Sequence, residues 1–137
     1  MNAKTHEPLD KGELHHERCE KCVETRPAIK MYIDNDDPLV AIDRNTQCSG
    51  HVWDFSVGLM AHHSVTKTME HVVRACSAHS NYHLHEGDFL RPRKPKVSKT
   101  FGTLDNEEQA HQAYLDSTMR IIGDAVEWRD QWRPKKH

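Results

Sequence analysis

Cys19-Glu20-Lys21-Cys22 and, further along, Cys48-Ser49-Gly50-His51 are the segments that most restrict how this chain folds. A two-residue spacer lets one tight backbone turn present two donor atoms to a single ion, and two such pairs supply a Cys3His set suited to tetrahedral zinc with no open position. Cys19, Cys22, Cys48 and His51 therefore predict a structural Zn2+. The spacing recurs in Cys76-Ser77-Ala78-His79, followed by His83 and His85, so Cys76, His79, His83 and His85 are alternative ligands or a second site. His15, four residues before Cys19, is an alternative to His51. Four cysteines could also hold an iron–sulfur cluster, but such ligands are usually all thiolate and would leave the neighbouring histidines unused.

A metal suits the composition. Only 36% of the 137 residues are hydrophobic and 29% are charged, which leaves a modest core for the length. One compact α+β unit with attached tails is expected. Residues 1–12 lack an apolar period and read as a flexible lead-in. The runs 28–33 and 39–42, separated by the turn formers Asn35-Asp36-Asp37-Pro38, read as a β-hairpin. Phe55, Leu59, His62, Thr66, Met69, Val73 and Cys76 recur at steps of three or four, which predicts a long helix from about Val52 and a zinc module spanning 13–79. Residues 80–103, with Gly87, Pro92, Pro95 and Gly102, read as a basic loop. Over 104–133 a helix is expected: Asp105 and Glu108 have capping-box spacing, Ala110, Tyr114, Thr118, Ile121, Ala125, Trp128 and Trp132 form a stripe, and Pro134 ends it before a 134–137 tail. Leu115, Met119, Ile122 and Val126 widen its apolar face, and the 52–78 helix is the expected partner.

The order of a Cys-x2-Cys turn, a hairpin and a second ligand pair at a helix start resembles a treble-clef zinc finger over residues 15–65, a likeness of architecture that implies a structural zinc and nothing catalytic. His15-x3-Cys19-x2-Cys22 resembles the metal-binding segment of zinc-containing anti-sigma factors over eight residues. The cysteine which that family carries well upstream has no counterpart here, so the function is not carried over.

A net charge of −2 excludes a global field drawing the chain to nucleic acid or membrane, so any such affinity is local. The local feature is Arg91, Arg93, Lys94, Lys96 and Lys99, five cations without an acid between them; Arg129, Arg133, Lys135 and Lys136 add a C-terminal cluster. These predict a non-enzymatic, zinc-stabilised module that docks on nucleic-acid phosphates. The alternative is a protein-binding regulator or inhibitor using the C-terminal amphipathic helix. Third comes a metal-dependent nuclease, resembling either the HNH type through His62, His63, Asn81 and His85, or the phage recombination endonucleases (endonuclease VII-like) through the acidic run Asp34-Asn35-Asp36-Asp37. No catalytic residue is assigned. With no apolar run long enough for a membrane span and no signal-peptide core, the chain is expected in the cytoplasm, without membrane contact.

Overall fold

A computed structural model describes residues 10–17, 19–25 and 28–134. Most of the lead-in (1–9) and Lys135–His137, including two cations of the C-terminal cluster, lie outside the described residues. The architecture is one antiparallel sheet of seven strands with two helices on one face. The strands are β1 (Cys22–Glu24), β2 (Ile29–Asp34), β3 (Leu39–Cys48), β4 (His51–His62), β5 (Met69–Cys76), β6 (Asn81–Asp88) and β7 (Arg91–Thr103), followed by α1 (Glu107–Ile122) and α2 (Ala125–Trp132). Their order is β1-β3-β4-β5-β6-β7, with β2 sharing the outer edge of β3 with β1.

The expected pairing of 28–33 with 39–42 is present, with Ile29 opposite Asp43 and Tyr32 opposite Val40. It belongs to the continuous sheet and not to a separate zinc module. The helix expected over 52–78 is replaced by β4 and β5, and the expected 80–103 loop by β6 and β7. A step of four satisfies both a helical and an alternating pattern, so Phe55 and Leu59 could not separate the two. Val57 and Ala61 do: with Phe55 and Leu59 they complete an alternation whose members are all buried. The prolines of residues 80–103 are tolerated because β7 is the sheet edge, where a missing N–H leaves no partner unpaired. Gly87 allows β6 to approach β5 closely; a Cβ there would lie 2.1 Å from the His71 carbonyl oxygen.

α1 packs chiefly on the sheet and not on a helix formed by residues 52–78. Its buried residues Ala110, Ala113 and Ser117 are small, which lets the axis approach β4, and Ile121 fills the end of the interface. Opposite them lie Leu39, Ala41, Phe55, Val57, Leu59, Val73, Ala75 and Leu84. Two hydroxyls tie the layers: Tyr114 donates to Asp43 (2.5 Å) and Tyr82 to Asp116 (2.7 Å). The capping box lies one residue later than expected. Asn106 Oδ1 accepts the Gln109 N–H at 2.9 Å, and Gln109 Oε1 accepts that of Asp105 at 2.8 Å. The single helix expected over 104–133 is divided around Gly123-Asp124, and Leu115, Met119 and Val126 are exposed at 42%, 73% and 46%.

The turn before β3 anchors α2. Asp34 Oδ1 accepts the N–H groups of Asp36 and Asp37, while Arg129, 7% exposed, reaches Asp34 at 3.0 Å and the Asp37 carbonyl at 2.9 Å. Arg133 holds the Asp37 carboxylate with two hydrogen bonds of 2.5 and 2.7 Å. Both carboxyls are held below their usual range, Asp34 first by the Asp37 N–H and then by Arg129, Asp37 first by Arg133. Because the folded values lie below the unfolded ones, this stabilisation is fully present above about pH 4 and is lost as pH falls through the folded values. Acidification is expected to red-shift the fluorescence of Trp128 and Trp132 as α2 detaches, and Asp37→Asn to remove part of that acid dependence. A tryptophan titration that is the same in both proteins would contradict this.

Candidate metal centre

Four donor groups converge where the N-terminal segment crosses the start of β1 and the end of β3. His16, Cys19, Cys22 and Cys48 have ligand atoms within 4.8 Å of one another, a cluster that could hold a metal ion. Cys19 Sγ lies 3.7 Å from Cys22 Sγ and 3.5 Å from Cys48 Sγ, and His16 Nε2 lies 3.4 Å from Cys22 Sγ. Bonds of about 2.3 Å to sulfur and about 2.0–2.1 Å to nitrogen set the edges of a tetrahedron at roughly 3.8 Å between sulfurs and roughly 3.5 Å between sulfur and nitrogen. These three separations are close to those edges, so the four donors could surround a tetrahedral ion.

Local structure explains each corner. Cys19 and Cys22 flank one tight turn, closed by the Cys22 N–H on the Cys19 carbonyl at 3.1 Å, and the Cys19 N–H points at Cys22 Sγ at 3.3 Å. Cys22 enters β1 opposite Cys48, so strand pairing alone brings the third thiol in. His16 is carried by a segment lying against the 3-10 turn Ala78–Ser80 and Leu104: Leu14 N–H donates to the Leu104 carbonyl at 2.9 Å, and a Cβ on Gly12 would lie 2.2 Å from the same oxygen. The end of the lead-in, residues 10–12, is therefore docked. The His16 ring stacks on Trp53 at 4.5 Å, and its Nδ1 is 2.6 Å from Glu107 Oε1 in the first turn of α1. With the proton on Nδ1 and donated to that carboxylate, Nε2 presents a lone pair to the cluster, the carboxylate–histidine arrangement common behind metal ligands.

Of the titration shifts in the cluster, only that of Cys22 by itself favours the ligating form. The Cys19 N–H, with further hydrogen bonds from His16, Cys19 and Cys48, draws the Cys22 thiol down to about 7. Its neighbour Cys19, together with burial, pushes Cys48 up to about 11. Hydrogen bonds to Cys22 and then Glu107 raise His16. One thiolate forms readily, but a second and third beside it need a cation to offset their repulsion.

His51 does not join the group. It is exposed, and its ring meets that of His111 edge-on at 5.2 Å. Cys48 and His51 face each other across a hairpin whose two turn residues, Ser49 (φ 53°) and Gly50 (φ 84°), are both left-handed, so the spacing of 48 and 51 marks a β-turn and not a helix start. His15, the sequence alternative, is displaced by its neighbour. His16-x2-Cys19-x2-Cys22 repeats the two-residue spacing and was the available signal. Glu107 had none, because its role depends on the packing of α1.

Cys76, His83 and His85 form a second cluster, on the sheet face away from the helices. Burial lowers His83 and takes His85 down to about 4, which keeps both imidazoles neutral, and pushes the Cys76 thiol up. His79 stays outside that cluster, exposed and at φ 60°. Of the residues resembling nuclease sites, His63 has both nitrogens engaged: Nδ1 accepts from the Val65 and Thr66 N–H groups at 3.1 Å, and Nε2 lies 2.7 Å from the Phe89 carbonyl. Asp34 and Asp37 are committed to Arg129 and Arg133. Arg91, Arg93, Lys94, Lys96 and Lys99 are brought together along the exposed edge strand β7.

Glu107→Ala is expected to weaken metal binding at the His16 cluster roughly 10- to 100-fold, while His51→Ala leaves it unchanged. Competition with a chromophoric chelator measures both, and equal losses in the two variants would discredit this ligand set. No protein-family model, curated protein or solved structure matches this chain, so its function rests on its own geometry.

Proposed function

We propose that the protein is a zinc-stabilised module that binds single-stranded nucleic acid along its β7 edge. Zinc is the ion that three thiolates and an imidazole at tetrahedral spacing suit best, and a four-ligand set leaves no position for catalysis. The observation that carries the binding function is the meeting of the basic strand with an aromatic groove. Lys96 and Val97 of β7 line a cavity of about 610 Å³ whose other wall includes Trp128 and Trp132. Trp128 Nε1 donates to the Arg120 carbonyl at 2.8 Å, which leaves its ring as an apolar wall.

Support also comes from what the cations do not do. Among the described residues Arg91, Arg93, Lys94, Lys96 and Lys99 make no ion pair; Lys99 lies over the Phe101 ring at 5.0 Å, and Arg93 acts at a distance on Glu70. Cations spaced along an extended strand can follow a phosphate backbone, and a base must leave its stack to enter the groove, which favours a single strand over a duplex. The competing reading is a protein partner on the exposed row Leu115, Met119 and Val126. Such a partner would depend little on salt.

Replacing Arg93, Lys94 and Lys96 by Gln is expected to reduce the slope of log affinity against log salt for a single-stranded oligonucleotide by roughly 2, since each neutralised phosphate contributes about 0.7 to that slope. Oligonucleotide binding is also expected to quench the Trp128 and Trp132 emission. A salt slope indifferent to these substitutions would remove nucleic acid as the ligand.

A further inference from the structure

The sheet has a second face, which the helices do not cover. Antiparallel pairing sets Arg44 opposite Ser56, Ser56 opposite Cys76 and Cys76 opposite His83, forming one row across four strands. Gly58, Arg74 and His85 form the next. Paired residues point to the same side of a sheet, and His85 lies two residues from His83, so Cys76, His83 and His85 project together.

Their ligand atoms form a small triangle. Cys76 Sγ is 3.1 Å from His83 Nε2 and 3.5 Å from His85 Nε2, and the two nitrogens are 3.1 Å apart. A tetrahedral ion bound by one sulfur and two nitrogens requires edges of roughly 3.5 Å and roughly 3.3 Å. His83 is already oriented, because its Nδ1 lies 2.8 Å from the Asn81 carbonyl and donates to it, turning the Nε2 lone pair toward the triangle. Cys76 and His83 are 7% and 1% exposed, whereas His85 is half-buried, so the triangle opens on one side.

That side is a cavity of about 290 Å³, lined by Arg44, Asp54, Arg74 and His79 besides the cluster itself. No fourth donor joins the three among the described residues. A divalent ion on one thiolate and two neutral imidazoles keeps a net charge of +1, and the two arginines add to it. Asp54 offsets part of this and is engaged by the Ser77 hydroxyl at 2.9 Å. The balance in the cavity favours an anion.

We propose that Cys76, His83 and His85 bind a second divalent ion of the zinc type, whose fourth position is open to the cavity and takes a small oxyanion. This site is independent of the nucleic-acid reading and differs in kind from the His16 cluster. There protein fills every position; here three ligands leave one exchangeable position, the pattern of zinc sites that bind water or substrate.

The test uses the full chain. Native mass spectrometry in excess zinc is expected to find a second ion in the wild type, absent from both His85→Ala and Cys76→Ser, with the His16-cluster ion retained. Far-ultraviolet circular dichroism and that retained ion separate ligand loss from unfolding. After replacement by Co2+, the visible bands present in the wild type and missing from His85→Ala are expected to shift saturably with acetate. Arg44→Gln is expected to weaken the acetate response about tenfold without changing metal content, as for a lost hydrogen bond to a charged group. A single ion in the wild type, or metal content unaffected by both variants, overturns the site. Bands insensitive to acetate overturn the open position, as does acetate sensitivity gained only in His79→Ala, which would make His79 the fourth ligand.

Discussion

Three thiols and an imidazole converge within 3.4–3.7 Å of their neighbours, an arrangement that a bound cation would stabilise, and Cys48 and the Glu107 behind His16 come from far along the chain from the other three donors. His16 and Cys19 belong to the N-terminal crossing segment, Cys22 to β1 and Cys48 to the end of β3, while Glu107 behind His16 opens α1. An ion held there joins the first described residues, the outer strands and the helix layer at one point. The same corner is thin in apolar material: Val23 is 66% exposed, and β1 has only three residues. A metal held there would do at this edge what side-chain burial does at the centre of the sheet, where Leu59, Val57 and Val73 are fully enclosed.

The two faces of the sheet divide the chemistry. The helix-covered face excludes water, and Asp43 is paired there with Tyr114 and Tyr82 with Asp116, whereas Trp132 Nε1 is buried without a hydrogen-bond partner among the described residues. The open face keeps its polar row in a cavity lined by Cys76, His83, His85 and two arginines, where the proposed ion would meet small ligands. Strand alternation alone sorts residues between the faces, so Cys76 and Ala75 serve opposite sides although they are adjacent.

β7 illustrates how one stretch can satisfy stability and the proposed binding together. A long edge strand invites pairing with another chain, and lysines, arginines and prolines along it discourage this. Three register shifts against β6 further twist the edge away from a flat template. The charges that keep the edge solitary are the ones available to phosphates, and Lys96 carries that edge into the Trp128 and Trp132 groove.

The sequence by itself determined donor types, local turns and charge. The Cys19-x2-Cys22 turn, the β2–β3 pairing, the C-terminal helical segment and the basic run were all legible, because each depends on residues near one another in the chain. Tertiary structure decided the remainder. Whether Phe55 and Leu59 belong to a helix or a strand depends on which surface faces them, and a step of four suits both; burial of Val57 and Ala61 in the same core resolves it. Whether His51 or His16 completes the cluster depends on the Cys48–His51 hairpin and on Glu107, which lies 91 residues from His16. Cys76, His83 and His85 carried a visible metal signature, but only the β5–β6 register shows that the triangle excludes His79 and opens on a cavity. Ligand chemistry is a property of side chains; coordination number is a property of how distant strands meet.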